Sequence, residues 1–116
     1  MTPTEFRACW DRFKDAVHPG DVLAGVVWRG NATRWLIDIG APFLANLDRI
    51  DADDSEPLEV GTTVEIFVKH QSDRMMMPFV SSRPELLTRA RRRIDLPADL
   101  RGEIVWPPPV EEPQSE

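Results

Sequence analysis

Apolar residues recur every three to four positions near the start of the chain, and this spacing predicts an amphipathic α-helix over residues 4–17. Phe6, Trp10 and Phe13 share its apolar face, while charged residues occupy the opposite face. The preceding Thr2-Pro3-Thr4-Glu5 can form a capping box with proline in the first turn. His18-Pro19-Gly20 ends the helix. Residues 1–19 are therefore predicted to form an N-terminal helical segment.

The period of the hydrophobic pattern changes to two after residue 20, which is typical of half-buried β-strands. Five short strands are predicted, over residues 22–28, 34–39, 43–47, 64–69 and 75–80. Gly25 in the first suggests a bend or bulge, and Pro78 in the fifth suggests an edge or bulged strand. Residues 20–83 are too few for a two-sheet sandwich. The pattern thus predicts a closed five-stranded antiparallel barrel, with helix 4–17 packed on it.

A second helix is predicted after the barrel, because Ser82-Arg83-Pro84-Glu85 repeats the capping pattern. Leu86, Leu87, Ala90 and Ile94 would form its apolar stripe, and four arginines between Arg89 and Arg93 would crowd its last turn. Residues 101–106 could form a short extra strand. The chain thus divides into helix 1–19, barrel 20–83, C-terminal helix and extension 84–106, and a proline-rich acidic tail, 107–116, predicted to be disordered.

The net charge of the 116 residues is −6 and is unevenly distributed. Residues 84–101 carry five basic and three acidic side chains, whereas residues 102–116 carry four acidic and no basic ones. An acidic chain repels nucleic acid at long range, so any RNA binding must use a local basic patch. The single cysteine, Cys9, suits a reducing compartment, and there is neither a signal-peptide pattern nor a long apolar run. We expect a cytoplasmic protein without membrane contact.

Five pieces of residues 20–83 follow one another in the order and spacing of a known family. They are Gly20-Asp21-Val22 with Gly25 and Val27, Leu36-Ile37-Asp38-Ile39-Gly40, Pro42-Phe43-Leu44, Val60-Gly61-Thr62-Thr63-Val64 with Val68, and Val80-Ser81-Ser82-Arg83. Together they resemble the RNA-binding domain repeated in bacterial ribosomal protein S-one, over about half of the chain. The resemblance implies an OB-fold barrel, mainly β, that binds single-stranded RNA across its second and third strands and serves translation or RNA handling.

The residues at the family's usual stacking positions differ here. The family carries two aromatic residues on the second strand and a histidine after the third, and our alignment places Thr33, Leu36 and Asp48 there. Stacking on an aromatic ring contributes about 1–3 kcal/mol per base, so this replacement weakens the expected RNA affinity. Phosphate contacts would have to carry the binding instead.

Basic and aromatic residues around the predicted second, third and fourth strands form the candidate RNA-binding site. Its members, with the arginines of the second helix, are Trp28, Arg29, Arg34, Leu36, Arg49, Lys69, His70, Arg74, Arg91, Arg92 and Arg93. The arginines could equally be solvated side chains, Trp28 could cover the barrel rim, and Trp106 could pin the tail. The alternative function is a protein-interaction barrel that has lost RNA binding and docks on a larger protein or ribonucleoprotein complex. The two readings differ in whether the second and third strands expose aromatic and basic or apolar and acidic side chains.

Catalytic and metal-binding patterns are missing from the sequence. Cys9 lies on the packed helix face, and His18 and His70 have no partner pattern for nucleophilic catalysis. The acidic residues Asp51, Asp53, Asp54 and Glu56 lack the glycine and terminal glutamate of a calcium loop. We therefore expect a binding module that is not an enzyme and needs no cofactor or metal.

Overall fold

The computed structural model of the chain describes residues 1–53, 55 and 57–109. Residues 110–116 of the predicted disordered tail lie outside the described residues, as do Asp54 and Glu56 of the acidic loop. The helices are α1 (Pro3–Ala16) and α2 (Pro84–Leu87). The strands are β1 (Asp21–Gly30), β2 (Arg34–Asp38), β3 (Ala45–Asp48), β4 (Thr63–Ser72), β5 (Met77–Ser81) and β6 (Arg92–Arg93). No helix among the described residues is long and apolar enough to cross a membrane.

Helix α1 begins at the predicted capping box. The Thr2 hydroxyl accepts a hydrogen bond from the Glu5 amide at 3.1 Å, and the Glu5 carboxylate accepts one from the Thr2 amide at 3.0 Å. The two bonds satisfy donors that the first turn of a helix leaves free. Phe6, Trp10 and Phe13 are fully buried, as the helical spacing predicted.

The first five strands close into a barrel, which confirms the predicted fold class. Strand β1 pairs with β2 on one side and β4 on the other, β2 pairs with β3, and β5 lies between β3 and β4. The prediction of a wholly antiparallel barrel was wrong, because β3 and β5 run parallel. The pairs β1–β2, β2–β3, β1–β4 and β4–β5 are all antiparallel, so β3 and β5 both run in the direction of β1 and meet as a parallel pair when the five strands close. The result is an OB-like barrel of mixed strand polarity.

The glycine and the proline that interrupt the strand pattern have local roles different from those predicted. Gly25 pairs regularly with Val64, and a Cβ atom there would lie 2.5 Å from the Cγ2 atom of Ile37. Glycine thus allows a close approach of strands, and the β1 bulge lies further on, at Trp28. Pro78 lies in β5, which has neighbours on both sides, so β5 is not an edge strand.

The core centres on the ring of Phe43, which lies between β2 and β3 and packs against the aromatic side chains of α1. The centroids of Trp10 and Phe13 lie 5.3 and 4.9 Å from that of Phe43, both with steep interplanar angles. Edge-to-face geometry of this kind stabilises aromatic pairs beyond the area that they bury. The helix is therefore part of the hydrophobic core, not an appendage.

The predicted C-terminal helix is only one turn long, and the arginines lie outside it. Ser82 does not cap it, because its hydroxyl accepts the Asp53 amide instead. Beyond Leu87 the chain turns and extends, and Arg92 and Arg93 pair with the start of β1 as the short parallel strand β6. A tertiary contact overrides the local helical pattern here, since Arg92 binds a buried carboxylate. The predicted strand over residues 101–106 is also absent, and those residues follow an irregular path.

That buried carboxylate belongs to Asp21, whose side chain is fully buried. Arg92 donates two hydrogen bonds to it, at 2.6 and 3.0 Å, and the His18 amide donates a third at 2.8 Å. Hydrogen bonds from Arg92 and then from His18 lower the pKa of Asp21 despite its burial. The ion pair joins the C-terminal segment to the barrel.

Replacing Asp21 with asparagine is expected to lower the free energy of unfolding at pH 7 by about 1.5–3 kcal/mol, as hydrogen bonds to charged groups contribute that much. Because the folded-state pKa is depressed, this contribution is present above the unfolded pKa of about 3.9 and is lost as the pH falls through the folded value. Urea titrations from pH 7 to pH 3 should show the two proteins converging in acid. Arg93→Gln is the control, because its bond to Glu65 joins two exposed side chains. A difference that does not shrink in acid would contradict the assignment.

Candidate nucleic-acid interface

One row of outward-facing side chains crosses the barrel from β1 to β4. Trp28 lies at the β1 bulge beside Leu36, Leu36 is the cross-strand neighbour of Asn46, Asn46 pairs with Phe79, and Phe79 pairs with His70. We call these five residues the outer row. The side of the barrel on which the resemblance places the ligand therefore presents aromatic and imidazole groups at the two ends of the row, while Leu36 and Asn46 between them are buried.

The end of the outer row on β4 and β5 is a stacked aromatic pair. The His70 and Phe79 rings lie 4.7 Å apart with an interplanar angle of 20°. A bulge in β4 at Lys69 brings the two residues into register, since Val68 pairs with Val80 and His70 with Phe79. His70 is exposed and Phe79 half-buried, so the pair offers a flat surface to a ligand.

Arginines and an amide group surround the middle of the outer row. Arg34 donates to the Asn46 amide oxygen at 3.1 Å, and the Asn46 amide nitrogen donates to Asp48 at 2.9 Å. The Arg49 guanidinium lies 4.3 Å from the centre of the Trp35 ring and donates to the Asn31 carbonyl. The network fixes the orientation of two guanidinium groups beside the row.

Gly30 leaves room for the Trp35 ring beside β1. A Cβ atom at Gly30 would lie 2.3 Å from the Trp35 ring, so only glycine lets the ring lie flat across β1. Trp35 also packs on the core, as the alternation with Ile37 predicted, and stays half-buried. Its ring therefore supports Arg49 at the barrel rim.

The other end of the outer row is covered by residues 101–109, which we call the C-terminal strap. The Gly102 amide donates to the Gly40 carbonyl at 2.9 Å and the Val105 amide to the Pro42 carbonyl at 2.8 Å. Ile104 and Trp106 pack against a buried cluster of Leu36, Leu44 and Met77. Leu36, predicted as a ligand contact, is only 7% exposed, so this expectation is corrected.

Trp28 and Arg29 stay accessible beside the strap. The Arg29 guanidinium lies 4.2 Å from the Trp28 ring centre, and the Trp106 ring meets Trp28 at a centroid distance of 6.5 Å and an angle of 74°. Trp28 thus both covers the cluster at the barrel rim and presents part of its ring to solvent. Covering the barrel rim and contacting a ligand are therefore compatible roles for Trp28.

The remaining predicted site residues are less available or lie elsewhere. Lys69 binds Asp51 at 3.0 Å, and Arg74 lies exposed in the β4–β5 turn. Arg92 and Arg93 bind Asp21 and Glu65, which leaves Arg91 exposed beside Gly20. About six residues of β1, or roughly 20 Å, separate that end of the strand from Trp28. The structure therefore does not join Arg91, Arg92 and Arg93 to the outer row.

Sequence reasoning missed Phe79 and Asn46. The prediction for the fifth strand rested on Pro78 and concerned the backbone. The alternation of Phe79 with the buried Val80 also places the Phe79 side chain on the outer face. No feature of the sequence distinguishes Asn46 from other polar residues in short strands. Within the described residues no group of three His, Cys, Asp or Glu side chains is arranged to hold a metal ion.

No protein-family model matches the sequence, and no curated protein matches it either. Among solved structures, the chain is similar to the uncharacterized protein MJ1198 from Methanocaldococcus jannaschii, with 21% sequence identity and a TM-score of 0.52. The alignment covers 59% of this chain and 95% of that protein. At this level of identity the similarity concerns the fold alone.

Proposed function

We propose that this chain binds single-stranded RNA along the outer row. The observation that carries the proposal is the stacked His70–Phe79 pair, which supplies an aromatic surface on β4 and β5 in place of the aromatic residues missing from the outer face of β2. Aromatic rings stack bases of any sequence, and a basic groove beside them follows the phosphates. The barrel type and its resemblance to ribosomal protein S-one repeats favour the same ligand.

The charges along the outer row also favour RNA. The chain as a whole is acidic, but Arg29, Arg34 and Arg49, which we call the arginine group, flank the row. Among the described residues no carboxylate lies within salt-bridge distance of these three. Their guanidinium groups are oriented by an amide, a carbonyl or an aromatic ring, so their charge remains available for phosphate. This is the local patch that an acidic protein needs.

The C-terminal strap weighs against the protein-interaction alternative. A barrel that docks on a partner through β2 and β3 needs exposed apolar area there. The apolar residues of that face are instead buried under the chain's own strap. The side chains of the row and its flanks that remain accessible are basic or aromatic, whereas Asn46 is only 1% exposed.

The expected result is weak binding that falls steeply with salt, measured by fluorescence anisotropy of a labelled RNA of about 12 nucleotides. Titrations at about 50 and 200 mM salt give the log–log slope. Glutamine at all three positions of the arginine group should reduce that slope by about 2, because each lost phosphate contact removes about 0.7. Phe79→Leu should weaken binding about 5- to 150-fold at both salt concentrations without changing the slope, since stacking releases no counterions.

Arg89→Gln in the exposed turn after α2 is the single-charge control, as it removes one positive charge away from the outer row and the strap. It should change neither affinity nor slope noticeably. If the wild-type protein does not bind RNA even at 50 mM salt, the proposal fails. A protein partner for the barrel then becomes the hypothesis to test.

A further inference from the structure

The C-terminal strap is a fixed part of the barrel surface. Two backbone hydrogen bonds tie it to Gly40 and Pro42, Val105 packs against the main core, and Ile104 and Trp106 pack against the Leu36 cluster. Leu44 and Met77 beneath it are no more than 1% exposed. An element that buries this much apolar surface belongs to the folded state, so its outer side is also the surface that a ligand meets.

Trp106 and Trp28 form an aromatic corner on that surface. Their rings stand 74° apart with centroids at 6.5 Å, and both side chains are half-buried. A flat base that stacks on one ring would meet the other ring at its edge, an arrangement that aromatic groups favour. The Arg29 guanidinium against Trp28 places a positive charge where the phosphate of the stacked nucleotide would need one.

The corner and the His70–Phe79 pair lie at opposite ends of the outer row. Three strand spacings separate β1 from β5 in the order β1-β2-β3-β5, or about 14 Å at roughly 4.8 Å each. Asn46 and Arg34 lie between them and are held by hydrogen bonds. An extended single strand that crosses the barrel from one aromatic pair would therefore arrive at the other.

We propose that Trp106, together with Trp28, forms a second base-stacking site for single-stranded RNA, built from the C-terminal strap in place of an aromatic residue on the outer face of β2. This inference rests on the proposed function and deepens it, because it assigns a ligand contact to a segment outside the barrel. The ligand group is a nucleobase, and Arg29 binds the phosphate next to it. Trp106 acts as a binding residue as well as an anchor of the strap.

Two variants of Trp106 distinguish stacking on a base from covering the Leu36 cluster. Trp106→Leu keeps an apolar side chain over the Leu36 cluster but removes the aromatic ring, and Trp106→Phe keeps both. We expect Trp106→Leu to weaken RNA binding about 5- to 150-fold, with an unchanged salt slope, and Trp106→Phe to bind nearly as the wild-type protein does. Thermal unfolding followed by circular dichroism verifies that both variants remain folded.

An abasic RNA of the same length provides the second arm, because it keeps the phosphates and removes the bases. Wild type and Trp106→Leu should bind this oligomer equally, and a difference there would overturn the inference. Equal binding of normal RNA by the two proteins would also overturn it, and tighter binding by Trp106→Leu would mean that the strap occludes the site. If Phe79→Leu weakens binding and Trp106→Leu does not, the proposed function stands and this inference alone fails. If the wild type binds no RNA, both fail.

Discussion

Truncating Trp10 to alanine is expected to lower the free energy of unfolding by about 3–5 kcal/mol, the range for buried aromatic side chains. The indole is fully buried, stacks on Phe13 at 5.6 Å and packs edge-to-face with Phe43. Trp10 lies on α1 and packs against Phe43 outside the helix, so the space left by truncation can close only if α1 shifts relative to the barrel. Urea unfolding followed by circular dichroism measures the loss.

Trp10 also makes one polar contact, which a second variant isolates. The indole nitrogen donates to Asp73 at 2.9 Å, and hydrogen bonds from Lys14 and then from Trp10 lower the pKa of that carboxyl group. Trp10→Phe keeps most of the ring packing and leaves the exposed Asp73 with Lys14, so it should cost much less than alanine. Arg12→Ala on the solvent face of α1 should stay within about 0.5 kcal/mol of wild type. A loss below about 1 kcal/mol for Trp10→Ala would contradict the role of α1 as part of the core.

The barrel and α1 could be predicted because their local patterns agree with their tertiary contacts. The helical stripe of Phe6, Trp10 and Phe13 faces the barrel, and the alternation of Trp35 and Ile37 matches the side chains that point into it. Two features could not be read this way. The parallel pairing of β3 with β5 depends on the path of the whole chain, and the bulge at Lys69 depends on its partner strand.

The C-terminal region was predicted poorly for a physical reason. Helical spacing from Leu86 to Ile94 is a local signal, whereas the position of Arg92 is decided by the buried Asp21 more than 70 residues earlier. The hydrophobic pattern of a segment does not show whether one of its residues will pair with a buried charge far away in the sequence. Such a tertiary contact can override the local helix propensity.

For the candidate site, too, local sequence features identify some of the residues, and tertiary contacts decide the position or exposure of the others. Arg29, Arg34 and His70 were identified from residue type and strand position, and they do lie along the outer row. Leu36 was identified in the same way, but its exposure depends on the strap, which the pattern of residues 101–109 did not reveal. The alternation of Phe79 with Val80 is enough to place it on the outer face, but its stacking on His70 depends on the pairing of two strands.

Ending the chain after Arg101 is expected to lower the free energy of unfolding by about 2–4 kcal/mol. The truncation removes the half-buried side chains of Ile104, Val105 and Trp106, and full burial of one such side chain is worth about 1.5–3 kcal/mol. It also removes the two backbone hydrogen bonds to Gly40 and Pro42. Urea titration gives the loss in stability, and increased binding of the dye ANS should report the newly exposed Leu36 cluster.

A chain that ends after Pro109 is the matched control, since it keeps the contacts of the strap with the barrel described above and should retain these contributions to stability. Ile104→Ser in the full chain tests one side chain of the strap without shortening it, and should lose about 1–2 kcal/mol.

If the chain ending at Arg101 were as stable as the control, the strap would not be part of the folded surface. The aromatic corner of Trp28 and Trp106 would then lack a fixed support, and a second stacking site there would be untenable. A loss of stability together with weaker RNA binding agrees with both roles of the strap, whereas a loss of stability with tighter RNA binding would make it a cover over the ligand site.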